Sequence, residues 1–336
     1  MVDKPPFTLT SAIISRVVDI SELVGRLNVT YERNLHLRRE NRLRAIQSSL
    51  AIEQNSLSFE QVTAIINGQR VLGDPQEIKE VKNAYEAYDV IMDYDPFSVD
   101  DFLRAHGLLT TGLVRESGHF RTGDVGVFDQ NNRLIHPGAR PQFVPGLINS
   151  LFDWAKSTQD PALIVSAVVH FEIETIHPFA DGNGRMGRLW QSLILSNWQP
   201  LFAWLPVETI IYEHQAAYYK VLAQADQEND SAVFIQFMLD AIYETLKKYP
   251  QDKMSDILSD KTSDKLSKTE RQFVGSMQTL LQTTDWFAAA KVVALSGKTS
   301  ATVRRHLQKL VSLGVLEQKG ERSGRRYRVK TGEEHE

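Results

Sequence analysis

The sequence predicts a mainly α fold with one short β-hairpin in the middle of the chain and a separate helix-and-hairpin unit near its C-terminal end. Apolar residues recur at helical spacing along most of the chain, as at Leu163, Ala167 and Phe171. The period changes to short extended runs at 120–136 and again at 315–329. We therefore expect helices to form the core.

Length and composition are those of an ordinary globular protein. The 336 residues are 42% hydrophobic and 24% charged, which allows two or three domains. Cysteine is absent from the sequence, which excludes disulfides, thiolate catalysis and a cysteine zinc site. No apolar run approaches the roughly 20 residues that cross a membrane, and the N-terminus lacks a signal pattern. We expect a cytoplasmic protein with no membrane partner.

Charge is distributed unevenly along the chain. Residues 268–330 contain 13 Lys and Arg against 4 Asp and Glu, a net charge of +9. Because the whole chain carries −4, the remainder carries −13. A basic end of this kind indicates an anionic partner.

The first hundred residues are predicted to be helical. A helix is expected near 12–26, and a basic stretch at 33–44 leads into a second helical segment. In that segment Ser49 and Glu53 lie four residues apart and would share one helix face. Taken alone, such a pair is typical of a solvated face.

The middle of the chain changes character twice. Helices are expected at 102–113 and from Pro141 to Trp154, and two extended runs around Asp129–Arg133 predict a hairpin. Asp160 and Pro161 predict the start of the next helix, with Asp160 as part of its cap.

The stretch that concentrates chemistry is His177-Pro-Phe-Ala-Asp-Gly-Asn-Gly-Arg-Met-Gly-Arg188. Pro178 disfavours helical geometry at the residue before it, so His177 is expected where a helix ends. The residues after the turn are again helical and place Arg185 and Arg188 one turn apart.

The turn suits an anionic ligand. Gly182 and Gly184 permit backbone angles that other residues resist, and a turn entering a helix leaves its first N–H groups unpaired. Arg185 and Arg188 add positive charge where a polyphosphate would lie.

Two further residues supply a possible metal ligand and a base. Asp181 offers a hard oxygen ligand for a divalent cation, and His177 offers an imidazole, the side chain that most often acts as a base near neutral pH. Each feature alone is usually structural, but base, metal ligand and anion site fall within twelve residues. Together they suit nucleotide-dependent transfer to a hydroxyl. His170 and Glu174 share the face of the preceding helix, without a recognised zinc spacing.

These twelve residues resemble the signature of the Fic family, His-Pro-Phe-x-Asp/Glu-Gly-Asn-Gly-Arg-x-x-Arg, at every fixed position. The resemblance implies a Fic helical core and transfer of AMP from ATP to a Ser, Thr or Tyr hydroxyl of a target protein, with Mg²⁺. It assigns the base to His177 and the Mg²⁺ ligand to Asp181. It also implies a nucleotide site formed by Gly182, Asn183, Gly184, Arg185 and Arg188.

The resemblance extends to an inhibitory motif, Ser/Thr-x-x-x-Glu followed by Gly or Asn, which Ser49 and Glu53 match. The chain departs from that motif at Gln54, which stands where Gly or Asn is expected. A carboxylate paired with Arg188 would occupy the place of the γ-phosphate and misalign the α-phosphate. The sequence leaves open whether Glu53 acts within one chain or across a homodimer.

The same resemblance makes residues 118–136 a flap that pairs with the target peptide by strand addition. The alternative is a surface hairpin with no further role. It also suggests that His214, Tyr218 and Tyr219 help to shape an adenine pocket, although a Tyr pair at such a place is more often part of a core.

The C-terminal end resembles a winged helix-turn-helix. Three helical segments are expected at 270–281, 287–295 and 301–313, followed by two strands. The recognition helix would present Thr302, Arg304, Arg305 and Gln308, and the wing would present Arg322, Arg325 and Arg326. We expect duplex DNA as a partner, with dimerisation or protein docking as the alternative.

The predicted organisation is therefore an N-terminal helical region at 1–100, a catalytic core at 101–246, a linker at 247–267 and a basic module at 268–330. Two other functions stay open. The same site would remove AMP from a modified target if Glu53 positioned water. Alternatively, the core would only sense nucleotide within a DNA-binding regulator.

Overall fold

The computed structural model divides the chain into two compact units, 1–248 and 249–336. The residues that it describes are 4–31, 35–128, 134–248, 266–277, 280, 286–321 and 324–329. Helices dominate the described residues, which confirms the mainly α prediction. Among these residues, every helix is too short or too polar to traverse a bilayer.

The described part of the first unit consists of helices joined by short connections, with one hairpin. The helices are α1 (Ser11–Tyr31), α2 (Leu35–Ile52), α3 (Phe59–Ile66), α4 (Pro75–Asp89), α5 (Val99–Thr110), α6 (Val144–Ser157), α7 (Ala162–Ile176), α8 (Asn183–Trp198), α9 (Val207–Glu213), α10 (Gln215–Glu228) and α11 (Ala232–Lys248). Short 3₁₀ turns lie at Ile91–Asp93, Pro141–Phe143 and Pro200–Ala203.

Helices α7 and α8 form the centre of this unit. Both are buried along almost their whole length, and they pack against each other. Trp190 of α8 is fully buried, stacks on Phe152 and meets Phe102 edge to face. Its indole N–H donates to the Pro96 carbonyl at 2.9 Å, so the ring is satisfied as well as packed. This core holds the glycine turn (residues 181–184) that joins α7 to α8.

The hairpin is antiparallel and short. Strand β1 (Gly126–Phe128) pairs with β2 (Leu134–Pro137), with Gly126 opposite Pro137 and an irregularity after Val127. The polar stretch 129–133 that predicted the turn lies outside the described residues.

The start of α7 corrects one expectation from the sequence. Pro161 takes the N-cap position without a side-chain cap bond. The Asp160 carboxylate instead accepts from the Thr158 hydroxyl at 2.9 Å and pairs with Lys4 at 3.3 Å. Asp160 is therefore held by its own loop and by the N-terminal segment, and it does not cap the helix.

The described part of the second unit has its own core. Its elements are α12 (Lys268–Ser276), β3 (Phe287–Ala288), α13 (Ala289–Ser296), α14 (Ser300–Ser312), β4 (Leu316–Lys319) and β5 (Arg326–Val329). The strands form an antiparallel sheet in the order β3-β5-β4.

This sheet corrects the helix expected at 287–295. Phe287 pairs with Tyr327 in the sheet, and both rings are buried with Phe273 and Leu307. An apolar residue just before a helix has the same spacing as a first helical residue, which is why the sequence pattern merged the strand with α13.

Candidate active site

His177 stands where α7 ends. It adopts a left-handed backbone conformation, with φ 52° and ψ 61°, and its N–H closes the helix on the Ile173 carbonyl. The ring Nδ1 lies 3.2 Å from the Glu174 carbonyl. Because a carbonyl only accepts, Nδ1 carries the proton and Nε2 keeps the lone pair that a general base needs. The helix exit predicted from Pro178 is confirmed.

The glycine turn opens α8. Gly182 has φ 85°, and its carbonyl accepts the first intrahelical bond of α8 from Met186. The N–H groups of Asn183, Gly184 and Arg185 precede that bond, as at the start of any helix. The N–H of Gly182 donates to the Asp181 carboxylate at 2.6 Å. Anion binding at this helix start would therefore use residues 183–185.

The Asn183 side chain bonds within its own loop. Its side chain accepts from the Phe179 N–H and donates to the Phe179 carbonyl, both at 2.9 Å. The amide group thus closes the loop between α7 and α8. These two bonds leave the main-chain N–H of Asn183 available at the start of α8.

Arg188 is bound by the end of α2. Its side chain is only 1% exposed, donates to the Ser49 hydroxyl at 3.0 Å and carbonyl at 3.1 Å, and pairs with Glu53 at 2.6 Å. Burial would lower the pKa of Arg188, but the nearby carboxylates, Glu53 first, outweigh burial and raise it. The two residues of the predicted inhibitory motif therefore meet the second motif arginine within one chain.

The Glu53 carboxylate also lies directly against the glycine turn. A Cβ at Gly184 would collide with Glu53 Oε1 and would come within 3.1 Å of an Arg188 nitrogen. The start of α8 is therefore in contact with a carboxylate, the kind of group that the N-terminal end of a helix favours.

The end of α2 is a Schellman motif. Gln54 has φ 70°, its N–H donates to the Ala51 carbonyl, and the Asn55 N–H donates to the Leu50 carbonyl. Glu53 thus lies one residue beyond the helix. The left-handed residue of a Schellman motif is usually Gly and sometimes Asn. This gives a physical reason why the inhibitory sequence motif has Gly or Asn after its glutamate, at the position where this chain has Gln54.

Helix α10 holds this end in place. The Gln215 side chain donates to the Ile52 carbonyl at 2.9 Å, and the Tyr219 hydroxyl donates to the same oxygen at 3.4 Å. On the other side, the Asn55 amide donates to Glu80 at 2.8 Å. The position of Glu53 is thus fixed by contacts on two sides.

Arg185 and Asp181 form the other side of the turn. Arg185 is almost buried and lies 3.3 Å from Asp181 and 3.6 Å from Glu80. The Asp181 side chain is 62% exposed. The two motif arginines therefore contact different acids, Arg188 facing Glu53 and Arg185 facing Asp181.

His106 on α5 was not identified from the sequence. It is fully buried and stacks on Phe179, with ring centroids 3.6 Å apart. Its Nδ1 accepts the Gly118 N–H and its Nε2 donates to the Asp181 carbonyl, both at 3.0 Å. Burial lowers its pKa to about 4, so the ring is neutral. His106 lies 75 residues before Asp181 in the sequence, so a short sequence motif cannot include both residues.

The three residues expected at an adenine pocket differ in how far they are buried. Tyr218 is buried, and its hydroxyl lies 3.1 Å from His170 and donates to Glu174 at 3.2 Å, which agrees with a core role. Tyr219 is half exposed beside the end of α2. His214 is half exposed and lies 3.3 Å from Glu244.

One group of possible metal ligands occurs among the described residues, and it lies away from the motif. Glu213, His214 and Glu244 bring their ligand atoms within 4.8 Å of one another. Lys248 pairs with Glu213 at 2.6 Å and with Glu244 at 2.9 Å, which offsets part of the negative charge of this surface cluster.

Comparison with known families and structures identifies similar proteins. A model described as the Fic/DOC family matches residues 96–195. The crystal structure of a Fic family protein from Desulfovibrio desulfuricans G20 has 39% sequence identity and a TM-score of 0.73, covering 99% of this chain and 100% of that one. Fic-1 from Caenorhabditis elegans, at 24% identity and a TM-score of 0.57 over 70% of each chain, shares the fold.

Relatives named for an activity match over shorter regions. Protein adenylyltransferase Fic of Nematostella vectensis is 28% identical over 61% of this chain and 48% of its own. Protein adenylyltransferase fic-1 of Caenorhabditis elegans is 28% identical over 63% of this chain and 42% of its own. The chain thus spans less than half the length of these relatives.

Proposed function

Because this chain belongs to the Fic family, to which its 39% identical full-length neighbour belongs, we propose that it transfers AMP from ATP to a hydroxyl of a target protein. The observation that carries this proposal is the Glu53 carboxylate against Gly184 and on Arg188. An anionic group there supports a role for the turn and the arginine in binding phosphate. The names of the relatives, protein adenylyltransferases, agree with it.

The chemistry follows from the tautomer of His177. As the target oxygen attacks the α-phosphorus, Nε2 takes the hydroxyl proton, the bond from the α-phosphorus to the bridging oxygen breaks, and pyrophosphate leaves. The N–H groups of residues 183–185 stabilise the charge that develops on the phosphate oxygens. Arg188 binds the far end of the triphosphate once Glu53 has moved. The target peptide pairs with the main chain of residues 118–136.

Mg²⁺ fits the residues at the turn. The Asp181 carboxylate is exposed, and Mg²⁺ is commonly bound through one or two carboxylates together with substrate phosphates. The bond from the Gly182 N–H and the His106 bond to the Asp181 carbonyl hold this residue in place. When bound, Mg²⁺ supplies charge neutralisation to the phosphates.

Glu53 holds the resting enzyme inactive in this proposal. Its carboxylate competes with phosphate for Arg188 and obstructs the start of α8, and it belongs to the same chain as the site. Inhibition therefore acts within one chain.

The test compares the wild-type protein with Glu53→Gly, using intact mass after incubation with ATP and Mg²⁺. We expect Glu53→Gly to gain AMP on itself or to transfer label from α-phosphate-labelled ATP to lysate proteins. The control Glu40→Gln changes an acid on the same helix that, among the described residues, pairs with Arg44 alone, and it should match the wild type. Binding of ATP without any transfer by Glu53→Gly would exclude the proposal and favour a nucleotide sensor.

Removal of AMP is the alternative reaction at this site. This reaction would use Glu53 to position water. The wild type would then be the more active protein and Glu53→Gly the less active one, the opposite of the order expected for AMP transfer. Release of AMP from a pre-modified target by the wild type, with Mg²⁺ and no transfer by either form, would favour it.

The second unit favours a second function, the binding of duplex DNA by a winged helix-turn-helix. Its element order of helix, strand, two helices and a strand pair supports this, as does the exposed face of α14, which presents Arg304, Arg305 and Gln308. Thr302 lies partly buried near the Thr299 cap, to which its N–H donates. Arg325 and Arg326 lie at the start of β5, whereas Arg322 lies outside the described residues.

A mobility-shift titration of the full chain with duplex DNA tests this function. We expect binding at low salt that weakens steeply as salt rises, and a loss of affinity in the double variant Arg304→Ala, Arg305→Ala. The control is Lys291→Ala, an exposed cation on α13. No shift at low salt would exclude DNA binding and leave protein docking.

A further inference from the structure

We propose that Arg121 is a positioning residue that fixes the catalytic histidine and the base of the hairpin relative to each other. This inference rests on the proposed transfer reaction. Arg121 is 3% exposed, and its guanidinium donates only to main-chain carbonyls among the described residues. Its acceptors come from three separate stretches of chain, namely His177 at 2.7 Å, Ile176 at 3.4 Å, Gly123 at 2.8 Å and Ala139.

The first stretch is the end of α7. Carbonyls in the last turn of a helix lack intrahelical partners, and a cation is favoured there. His177 also adopts the left-handed conformation, which costs a residue with a side chain free energy. Two charge-assisted bonds to the carbonyls of Ile176 and His177 hold this conformation. The N–H of Arg121 also donates to the Pro178 carbonyl at 3.1 Å.

The other two stretches are the two ends of the hairpin. Gly123 precedes β1, and Ala139 follows β2, so one guanidinium joins the segments on both sides. The main chain continues this connection, since Gly138 donates to the Val125 carbonyl at 3.1 Å and Ala139 donates to the Ile176 carbonyl at 3.3 Å. The hairpin therefore cannot shift at its base without disturbing the contacts of the histidine.

Close packing around Gly138 supports the same role. A Cβ at Gly138 would lie 3.0 Å from a guanidinium nitrogen of Arg121 and 3.3 Å from the His177 Cβ. The absence of a side chain at Gly138 thus lets the hairpin approach both residues. Lysine could not replace Arg121, because an ammonium is a single point whereas a guanidinium donates in several fixed directions.

In the proposed reaction, the hairpin carries the target peptide and His177 receives its proton. Displacement of one relative to the other by about 1 Å can cost about 10²-fold in rate. The nucleotide is bound by the helix start and Arg188, which Arg121 does not contact in the described structure. Loss of Arg121 should therefore lower transfer and leave ATP affinity largely unchanged.

The experiment introduces Arg121→Lys and Arg121→Met into the Glu53→Gly protein. We expect transfer to fall at least tenfold in both and ATP affinity, measured by calorimetry, to stay within about threefold. Hydrogen exchange at 118–128 and 134–139 should become faster, with exchange in α8 unchanged. The matched control is Arg140→Met, an exposed arginine next to the same segment, which should change neither measurement.

A second variant keeps the proposal testable if Arg121→Met does not fold. Gly138→Ala retains all donors and acceptors but crowds the guanidinium, so it should alter transfer and hairpin exchange in the same direction. Unchanged hairpin exchange in Arg121→Lys and Gly138→Ala would overturn the proposal. So would a loss of ATP affinity equal to the loss of transfer. The exchange measurement decides the matter even if Glu53→Gly shows no transfer, and that result would count against the proposed reaction alone.

Discussion

Gln54 provides the sharpest test of the inhibitory arrangement, because it occupies a left-handed position with φ 70° at the end of α2. A residue with a side chain loses about 1–2 kcal/mol in that conformation. Glycine avoids this loss, but it lowers the free energy of unfolding by about 0.4–1 kcal/mol because it increases the conformational entropy of the unfolded chain. The change Gln54→Gly should therefore stabilise the first unit by about 0.5–1 kcal/mol.

The same change should deepen inhibition. The turn at Gln54 carries Glu53 to Arg188, so a more stable helix end keeps the carboxylate in place. If all of the gain falls on the inhibited state, 0.5–1 kcal/mol corresponds to a resting transfer rate about two- to fivefold lower. Gln54→Val should act in the opposite direction, because a β-branched residue is disfavoured in this conformation.

The assays are thermal unfolding of the full chain and transfer of label from α-phosphate-labelled ATP. We expect Gln54→Gly to raise the melting temperature by about 1–4 °C and to lower resting transfer. In the Glu53→Gly background, the substitution at Gln54 should no longer affect the rate, since there is no carboxylate to position. A lower melting temperature with Gln54→Gly, or a higher resting rate, would refute the reasoning.

Other substitutions test the base, a buried carboxyl and the ion pair separately. His177→Ala should lower transfer about 10²–10⁴-fold with ATP affinity by calorimetry nearly unchanged, because a base acts on the barrier; retained turnover would exclude His177. Burial raises the pKa of Glu172 to about 7, so the protein should lose stability as pH rises from 4.5 through 7. Glu172→Gln should remove this loss and so raise the free energy of unfolding at pH 8, measured with urea, by at most about 3 kcal/mol. An equal rise at pH 4, where the Glu172 carboxyl is neutral in the folded protein, would contradict this explanation. Glu53→Gln should destabilise by about 1–3 kcal/mol because Arg188 is buried, against less than about 1 kcal/mol for the surface pair of Glu40; equal effects in unfolding would show that Arg188 needs no carboxylate.

The sequence predicted the local features of the site well. Pro178 fixed the expected helix exit at His177, and the glycines predicted a turn into a helix, because these residue types constrain their own backbone. Glu53 was expected on a helix face that it shares with Ser49, but the helix ends one residue before Glu53. The two bonds that the Asn183 side chain makes to the main chain of Phe179 were not predicted, because residue type alone does not say how a loop closes.

Residues that act across the fold could not be predicted. Arg121 and His106 reach the motif from other elements, and nothing near them in the sequence sets their directions. The same holds for Gln215, whose contact with Ile52 depends on how α10 packs beside α2. For each of these side chains, tertiary packing decides the partner.

The order of the elements along the chain has a consequence for biosynthesis. Glu53 lies 135 residues before Arg188, so the ribosome completes α2 well before it completes the arginine that α2 restrains. Chains are made from the N-terminal end, and early segments are available to fold first. If Glu53 inhibits the enzyme, the newborn protein already contains the inhibitory carboxylate when Arg188 emerges.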